Sequence, residues 1–232
     1  MKKKVLICVA HTDDETIGCG GAISHHVKNN DKVFCIYMTD GITSRFLNNN
    51  LNKKNSLIAQ RKKNSLAASK ILGFKWLYDF CGDFPDNAMD KVNLLQVIKL
   101  IEKVKKKINP DIVYTHHPYD LNVDHQIVSK AVLTAFRPLA KEHWSKIITF
   151  ETASATDYSY FKNEKNFQPN YFLNIKPYWK KKIQALFAYK SEIKKYPNSR
   201  SFKGMKILAQ LRGSQNGLDM AEGFCIVKEI KR

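Results

Sequence analysis

The sequence predicts a three-layer α/β protein, built on a mostly parallel sheet with helices on both faces. Three observations carry this reading. Short apolar runs alternate with longer amphipathic stretches over the first two-thirds of the chain. Glycine or proline punctuates the ends of several stretches. No internal repeat or low-complexity linker divides the 232 residues, so a single domain over 1–232 is expected.

The elements follow in order. Residues 5–10 read as a buried strand, being short, apolar and bounded by polar residues. Residues 17–27 read as a helix entered through a glycine-rich turn, and residues 33–38 as the next strand. Residues 60–72 carry apolar side chains at helical period and stop at Gly73, a C-cap residue. A third short strand is expected at 76–80. Residues 94–108 are amphipathic and end before Pro110. A fourth strand is expected at 111–115, a helix at 124–136 before Pro138, and a fifth strand at 147–150. Residues 43–55, with three consecutive asparagines, read as a polar mobile loop, and residues 152–177 as aromatic and irregular. Helices around 178–195 and 202–211 and a last strand around 224–230 complete a Rossmann-like plan. Crossovers between its parallel strands are expected to be right-handed.

Composition narrows the class. Hydrophobic content of 44% and charged content of 26% suit a soluble globular protein. The apolar run at 5–10 is far short of the roughly 20 residues that span a bilayer. The basic start Met1-Lys2-Lys3-Lys4 resembles a signal peptide, but its apolar run leads straight into His11-Thr12-Asp13-Asp14-Glu15 with no small-residue cleavage site. A cytoplasmic protein is therefore expected. Five scattered cysteines suit reduced core thiols. The formal charge of +18 has two readings: a basic face for a polyanion or phosphorylated substrate, or lysines on solvated helix faces. The runs Lys105-Lys106-Lys107 and Lys180-Lys181-Lys182 fall on predicted helices, and no basic-aromatic interleaving resembles an RNA-binding motif. No nucleic-acid partner is expected, and the charge acts at most as attraction for anionic substrates.

Ligands of open parallel sheets bind beyond the carboxyl ends of the strands. The first strand delivers His11-Thr12-Asp13-Asp14-Glu15 there, and the second Thr39-Asp40-Gly41. The fourth delivers His116-His117-Pro118-Tyr119-Asp120, followed by Asn122-Val123-Asp124-His125. Four of the seven histidines fall in two of these loops. A histidine and a carboxylate three residues apart can grip one cation from a turn entering a helix. A second histidine from the neighbouring loop would complete three N/O ligands and leave positions open, the arrangement of a catalytic zinc. Asp13 beside them could act as general base. The plainer alternative is that Asp13, Asp14 and Glu15 only favour a helix N-terminus.

Ala10-His11-Thr12-Asp13-Asp14-Glu15 followed by Gly18-Cys19-Gly20-Gly21 resembles the AHPDDE signature of the PIG-L/LmbE family of zinc-dependent sugar N-deacetylases. The segment from His116 to His125 resembles that family's second metal motif, and Thr39-Asp40-Gly41, Arg61, Phe84-Pro85-Asp86-Asn87, Arg212-Gly213 and Ala221-Glu222-Gly223-Phe224 look like its bacterial branch. The resemblance implies His11, Asp14 and His125 as metal ligands and Asp13 as general base. It places Arg61, Asp86 and Asn122 at substrate-binding positions. It implies Zn2+ as cofactor, with Fe2+ or Co2+ accepted by the same ligand set, and an N-acetylated sugar or glycoconjugate as substrate. Two departures stand out. Thr12 replaces the family's usual proline, and Asn122 stands where many members carry a histidine. Asn122 can donate a hydrogen bond but cannot carry a proton charge, which leaves His116 or Asp13 to act as acid. His116 and His117 have a plainer alternative, a cap on the strand end. Arg200 either meets an anionic group of the substrate, caps a helix or stays solvated.

Rival readings are an amidase acting on a different N-acyl substrate and a non-catalytic polyanion-binding module of the same fold. A nucleotide-binding enzyme is disfavoured, because Gly18-Cys19-Gly20-Gly21 lacks the GxGxxG spacing and acidic residues occupy the pyrophosphate position.

Overall fold

The computed structural model describes residues 2–45, 51–160 and 165–231. Among them, seven strands form one sheet in the order β3-β2-β1-β4-β5-β7-β6. The strands are β1 (Lys4–Val9), β2 (Lys32–Tyr37), β3 (Lys75–Trp76), β4 (Ile112–His116), β5 (Lys146–Phe150), β6 (Tyr171–Asn174) and β7 (Ala221–Glu229). The five neighbours from β3 to β5 are parallel, whereas β7 runs antiparallel to both β5 and β6. The helices are α1 (Asp14–Lys28), α2 (Leu51–Leu72), α3 (Leu94–Ile108), α4 (Val123–Ala135), α5 (Trp179–Ala188) and α6 (Phe202–Ser214).

The alternation of side chains along β1 shows how the layers arise. Val5, Ile7 and Val9 enter one core with Cys19, Ala22 and Ile23 of α1 and Ala185 of α5. Leu6, Cys8 and Ala10 enter the opposite core with Val97, Ile101 and Val104 of α3 and Val128 and Val132 of α4. A strand apolar at every position is thus one buried from both sides. Cys8, Cys19 and Cys35 lie buried in these cores, and all five thiols are free.

Several boundaries differ from the expectation, for physical reasons. The strand expected at 76–80 pairs only at Lys75–Trp76, because Tyr78–Phe80 winds into a 3₁₀ turn. The loop expected at 43–55 is partly helical. Thr43–Arg45 is a 3₁₀ turn and α2 already begins at Leu51, while residues 46–50 lie outside the described residues. Its first turns are largely exposed, so they carry no apolar stripe to betray the helix. The irregular stretch 152–177 contains β6, an edge strand of half-buried residues without alternation. The helix expected at 178–195 stops at Ala188, and Lys190–Glu192 turns back toward the sheet end. Lys182, expected on a solvated face, is buried instead, with Nζ 2.7 Å from Glu222 Oε1 and donating to the Ile17 carbonyl.

This ion pair belongs to a broken helix. Within α1 the backbone of Cys19 leaves the helical region, and the carboxylate of Glu222 accepts the freed Gly21 and Ala22 N–H groups at 2.8 Å each. Gly21 lies so close to the residue that follows β6 that a Cβ there would come within 2.3 Å of Ile175 Cγ2. Among the described residues, no helix is long and apolar enough to cross a membrane. Gly21→Ala is expected to destabilise the protein by about 1–3 kcal/mol through overpacking. Urea unfolding should show a lower midpoint with an unchanged slope, and an unchanged midpoint would remove Gly21 from the packing argument.

Candidate active site

β1 connects to β2 on one side of the sheet and pairs with β4 on the other, so their carboxyl ends flank the topological switch point. The loop after β1 supplies His11, Asp13 and Asp14, and the turn from β4 into α4 supplies Asp120, Asn122, Asp124 and His125. A cavity of about 420 Å³ opens here, within the range of small-ligand sites. His11, Asp13, Arg61, Asp86, Asn122 and His125 all line it.

One ligand atom each of His11, Asp14 and His125 lies within 4.8 Å of the others. Asp14 Oδ2 stands 3.2 Å from His11 Nδ1 and 3.3 Å from His125 Nε2. Carboxylates behind the rings hold their other nitrogens. Asp124 Oδ2 and Asp86 Oδ1 stand 3.1 and 3.2 Å from His11 Nε2, and Asp120 Oδ2 stands 3.2 Å from His125 Nδ1. This is the carboxylate–histidine arrangement that orients imidazole ligands. Burial alone would push His125 down, but Asp14 and Asp120 outweigh it and lift its pKa to about 9. Burial likewise opposes the charge of His11, yet Asp124, Asp14 and Asp86 hold its pKa well above the ordinary value. A field that favours imidazolium this strongly favours a divalent cation too, so the residues present fit a metal ion.

Asp13 occupies an unusual backbone position, with φ of 126° in a residue that bears a side chain. Buried Glu15 helps to hold it there. Glu15 Oε2 accepts the Asp13 N–H at 2.9 Å, while the Thr16 and Tyr189 hydroxyls donate to Oε1. Burial pushes the pKa of Glu15 up to about 7. Asp13 Oδ1 pairs with Arg61 at 3.0 Å, but Oδ2 has no hydrogen-bond partner among the described residues and Asp13 lines the cavity. Burial raises the Asp13 pKa, against the pull of Arg61.

The other expected site residues fall into place with changes of role. Arg61 is 5% exposed, and its guanidinium is taken up by Asp13, by Glu192 at 2.8 Å and by the Thr12 hydroxyl at 2.9 Å. Thr12, which stands where the resembled signature has proline, thus gains a partner that proline lacks. Asp86 accepts Ser44 N–H and O–H, and with His11 its pKa stays at about 2 despite burial. Asn122 is the N-cap of α4, its Oδ1 accepting from Asp124 and His125 N–H, and its Nδ2 donates to Asn87 Oδ1. His116 lies beneath the cluster, its Nε2 3.5 Å from Asp14 Oδ2. It does not line the cavity. Its ring stacks under His125 at 3.8 Å, and its Nε2 accepts the Ala10 N–H at 2.9 Å. Burial and His125 hold it neutral. It supports His125 and joins β4 to β1. His117 turns away to the Lys165 carbonyl. Asp124, Asp120, Glu15, Glu192, Lys194 and Arg200 complete the surroundings. The first three lie inside the recognised motifs, whereas no local pattern marks Glu192 and Lys194.

The family model for PIG-L, described as GlcNAc-PI de-N-acetylase, matches residues 6–136. The chain is 28% identical over 196 residues to an Escherichia coli K12 protein named "Uncharacterized deacetylase YaiS", covering 82% of this chain and 92% of that one. N,N'-diacetylchitobiose deacetylase from Pyrococcus horikoshii superposes with a TM-score of 0.74 at 23% identity, over 97% of this chain and 84% of that chain. GalB, a 4-carboxy-2-hydroxymuconate hydratase from Pseudomonas putida KT2440, superposes with a TM-score of 0.76 at 20% identity, over 100% and 98%. At such identities the likeness shows the fold, which a deacetylase and a hydratase share.

Removing the Asn122 cap tests the local geometry. Asn122→Ala should cost about 1 kcal/mol, a fall in Tm of about 2–4 °C for a chain of this size, and Asn122→Ser should restore most of it. Equal melting temperatures for all three proteins would refute the capping role.

Proposed function

Because the chain belongs to the PIG-L family, we propose that it is a metal-dependent hydrolase removing the acetyl group from an N-acetylated amino sugar or its conjugate. The observation that carries this reading is the meeting of His11, Asp14 and His125 within 4.8 Å, beside a buried carboxylate oxygen of Asp13 that has no hydrogen-bond partner among the described residues. His11, Asp14 and His125 would hold the ion, and Zn2+ is the first choice, with Fe2+ or Co2+ suited to the same ligands. Bound there, the ion supplies Lewis acidity that polarises the acetamide carbonyl and makes a water molecule more acidic.

The chain's own residues do the proton work. Asp13 Oδ2 takes a proton from the attacking water, and the oxygen adds to the acetamide carbon. Burial makes Asp13 a stronger base than an exposed carboxylate, while Arg61 keeps it ionised and aimed. Protonated Asp13 then returns the proton to the departing nitrogen, so water and amide become acetate and an amino sugar. One residue serving as base and acid removes the need for a second acid at Asn122 or His116. The Asn87 and Asn122 amides also line the cavity and are suited to sugar hydroxyls.

Asp13→Asn should lower kcat by about 10²–10⁴-fold, with metal content by elemental analysis unchanged. Replacing both His11 and His125 by Ala should abolish metal uptake and acetate release together. Wild-type turnover by the Asp13→Asn protein would overturn the assignment of the base.

A further inference from the structure

Resting on the deacetylase reading, we infer that the cleft takes N-acetylated amino sugars bearing an anionic substituent, a carboxylate or a phosphate, read by Lys194 and Arg200. Arg45, Arg61, Lys194 and Arg200 line the cavity, with the carboxylates of Asp13 and Glu192 among them, and Asp86, Asn87 and Asn122 complete the lining beside His11. Four cations thus face two carboxylates, and those two are shared. Glu192 binds both Arg45, at 2.6 Å, and Arg61, at 2.8 Å. Asp13 binds Arg61 at 3.0 Å and lies 3.6 Å from Arg200.

The surplus sits on Lys194 and Arg200. Lys194 is exposed and lines the cavity, and its ammonium has no hydrogen bond or ion pair among the described residues. Arg200 donates Nε to the Ala153 carbonyl at 3.2 Å, and its approach to Asp13 is too long for a hydrogen bond. Guanidinium donors therefore remain for a ligand. Both side chains stand on a braced loop. Lys194 N–H donates to the Arg200 carbonyl, Arg200 N–H to Asn198 Oδ1, and Ser201 N–H to the Asn198 carbonyl. Ser201 in turn caps α6 through the Gly204 N–H. A Cβ on Gly204 would come within 2.5 Å of the Ser199 carbonyl, so the loop packs directly on the helix. Two cations on a braced backbone beside the cleft offer an anion charge-assisted hydrogen bonds. A neutral sugar leaves them unmatched.

The test uses the zinc-loaded protein with N-acetylglucosamine 1-phosphate, N-acetylmuramic acid and methyl N-acetylglucosaminide, reading acetate release. At least one anionic compound should exceed the neutral one by about tenfold in kcat/KM, and which one wins separates phosphate from carboxylate. Lys194→Gln should erase most of that preference and Lys194→Arg should restore it. Lys206→Gln, on the exposed face of α6, controls for net charge and should leave the preference intact. Equal or better use of the neutral compound, or a preference untouched by Lys194→Gln, overturns the inference. Calorimetric binding of glucosamine 1-phosphate, muramic acid and methyl glucosaminide reads the same preference without turnover. No acetate from any substrate would therefore sink the deacetylase reading, while the anion preference stands or falls on binding.

Discussion

The whole cleft depends on gathering several buried carboxylates at one end of the sheet. Asp13, Asp14, Asp86, Asp120 and Asp124 are each no more than 6% exposed, and all lie at the carboxyl ends of β1 and β4 or in the loops beside them. A buried charge without compensation costs several kcal/mol. Compensation comes from three sources. The Asn87 and Met89 N–H groups donate to Asp124, and the Ser44 N–H donates to Asp86. His11 and His125 absorb the charge of Asp14. Arg61 ties Asp13 to Glu192. What these leave unmatched is a concentrated negative field at the imidazoles and one open oxygen on Asp13. The first suits a divalent cation and the second suits a proton, so the electrostatic problem of folding this cleft is also the source of its chemistry.

Much of this was legible in the sequence because it is local. Strands buried on both faces are written as continuous apolar runs, so β1, β2, β4 and β5 could be read within a residue or two. The residues that follow β1 and β4 could then be placed at one sheet end. His11, Asp13, Asp14 and His125 line up there because backbone geometry alone brings consecutive loops of a parallel sheet together. The unreadable part is tertiary. The exposed first turns of α2 bury no stripe, and β6 is an edge strand without alternation, so neither leaves a periodic signal. Asn122 was read as a substitution at a catalytic position, yet its side chain closes the first turn of α4 on the N–H groups of Asp124 and His125. His116 is a candidate acid from its place beside the motif, and in the fold its Nε2 accepts the Ala10 N–H, a long-range contact that no local pattern marks.

Charge makes the same distinction between composition and placement. A formal +18 suggests a basic face, but the lysine runs that contribute to it part company in the fold. Residues 105–107 end α3 on one face of the sheet, where Lys105 bonds the Ala135 carbonyl and Glu142. Residues 180–182 open α5 on the other face, where Lys181 meets the Leu72 carbonyl and Lys182 is buried against Glu222. Opposite faces cannot form one polyanion groove, so the runs argue against a binding module that keeps the fold without its chemistry. The cations with a defined geometric purpose are instead few, and they gather on one wall of the cleft.

That wall explains how one fold can hold different specificities. The family match ends at residue 136, and the proposed metal ligands and base lie within it. Glu192, Lys194 and Arg200 come from the chain beyond, carried by the turn after α5 and the loop before α6. The backbone that carries Lys194 and Arg200 is braced against Gly204 of α6 and not against β1 or β4, so substitutions there can alter the cleft without displacing His11, Asp14 or His125. Glu192 is the exception, because its pairing with Arg61 reaches back to Asp13. Through this one carboxylate the cationic wall and the proposed base are joined. A change in the loop that disturbs Glu192 would alter rate, whereas a change at Lys194 would alter only which substrates are held long enough to react.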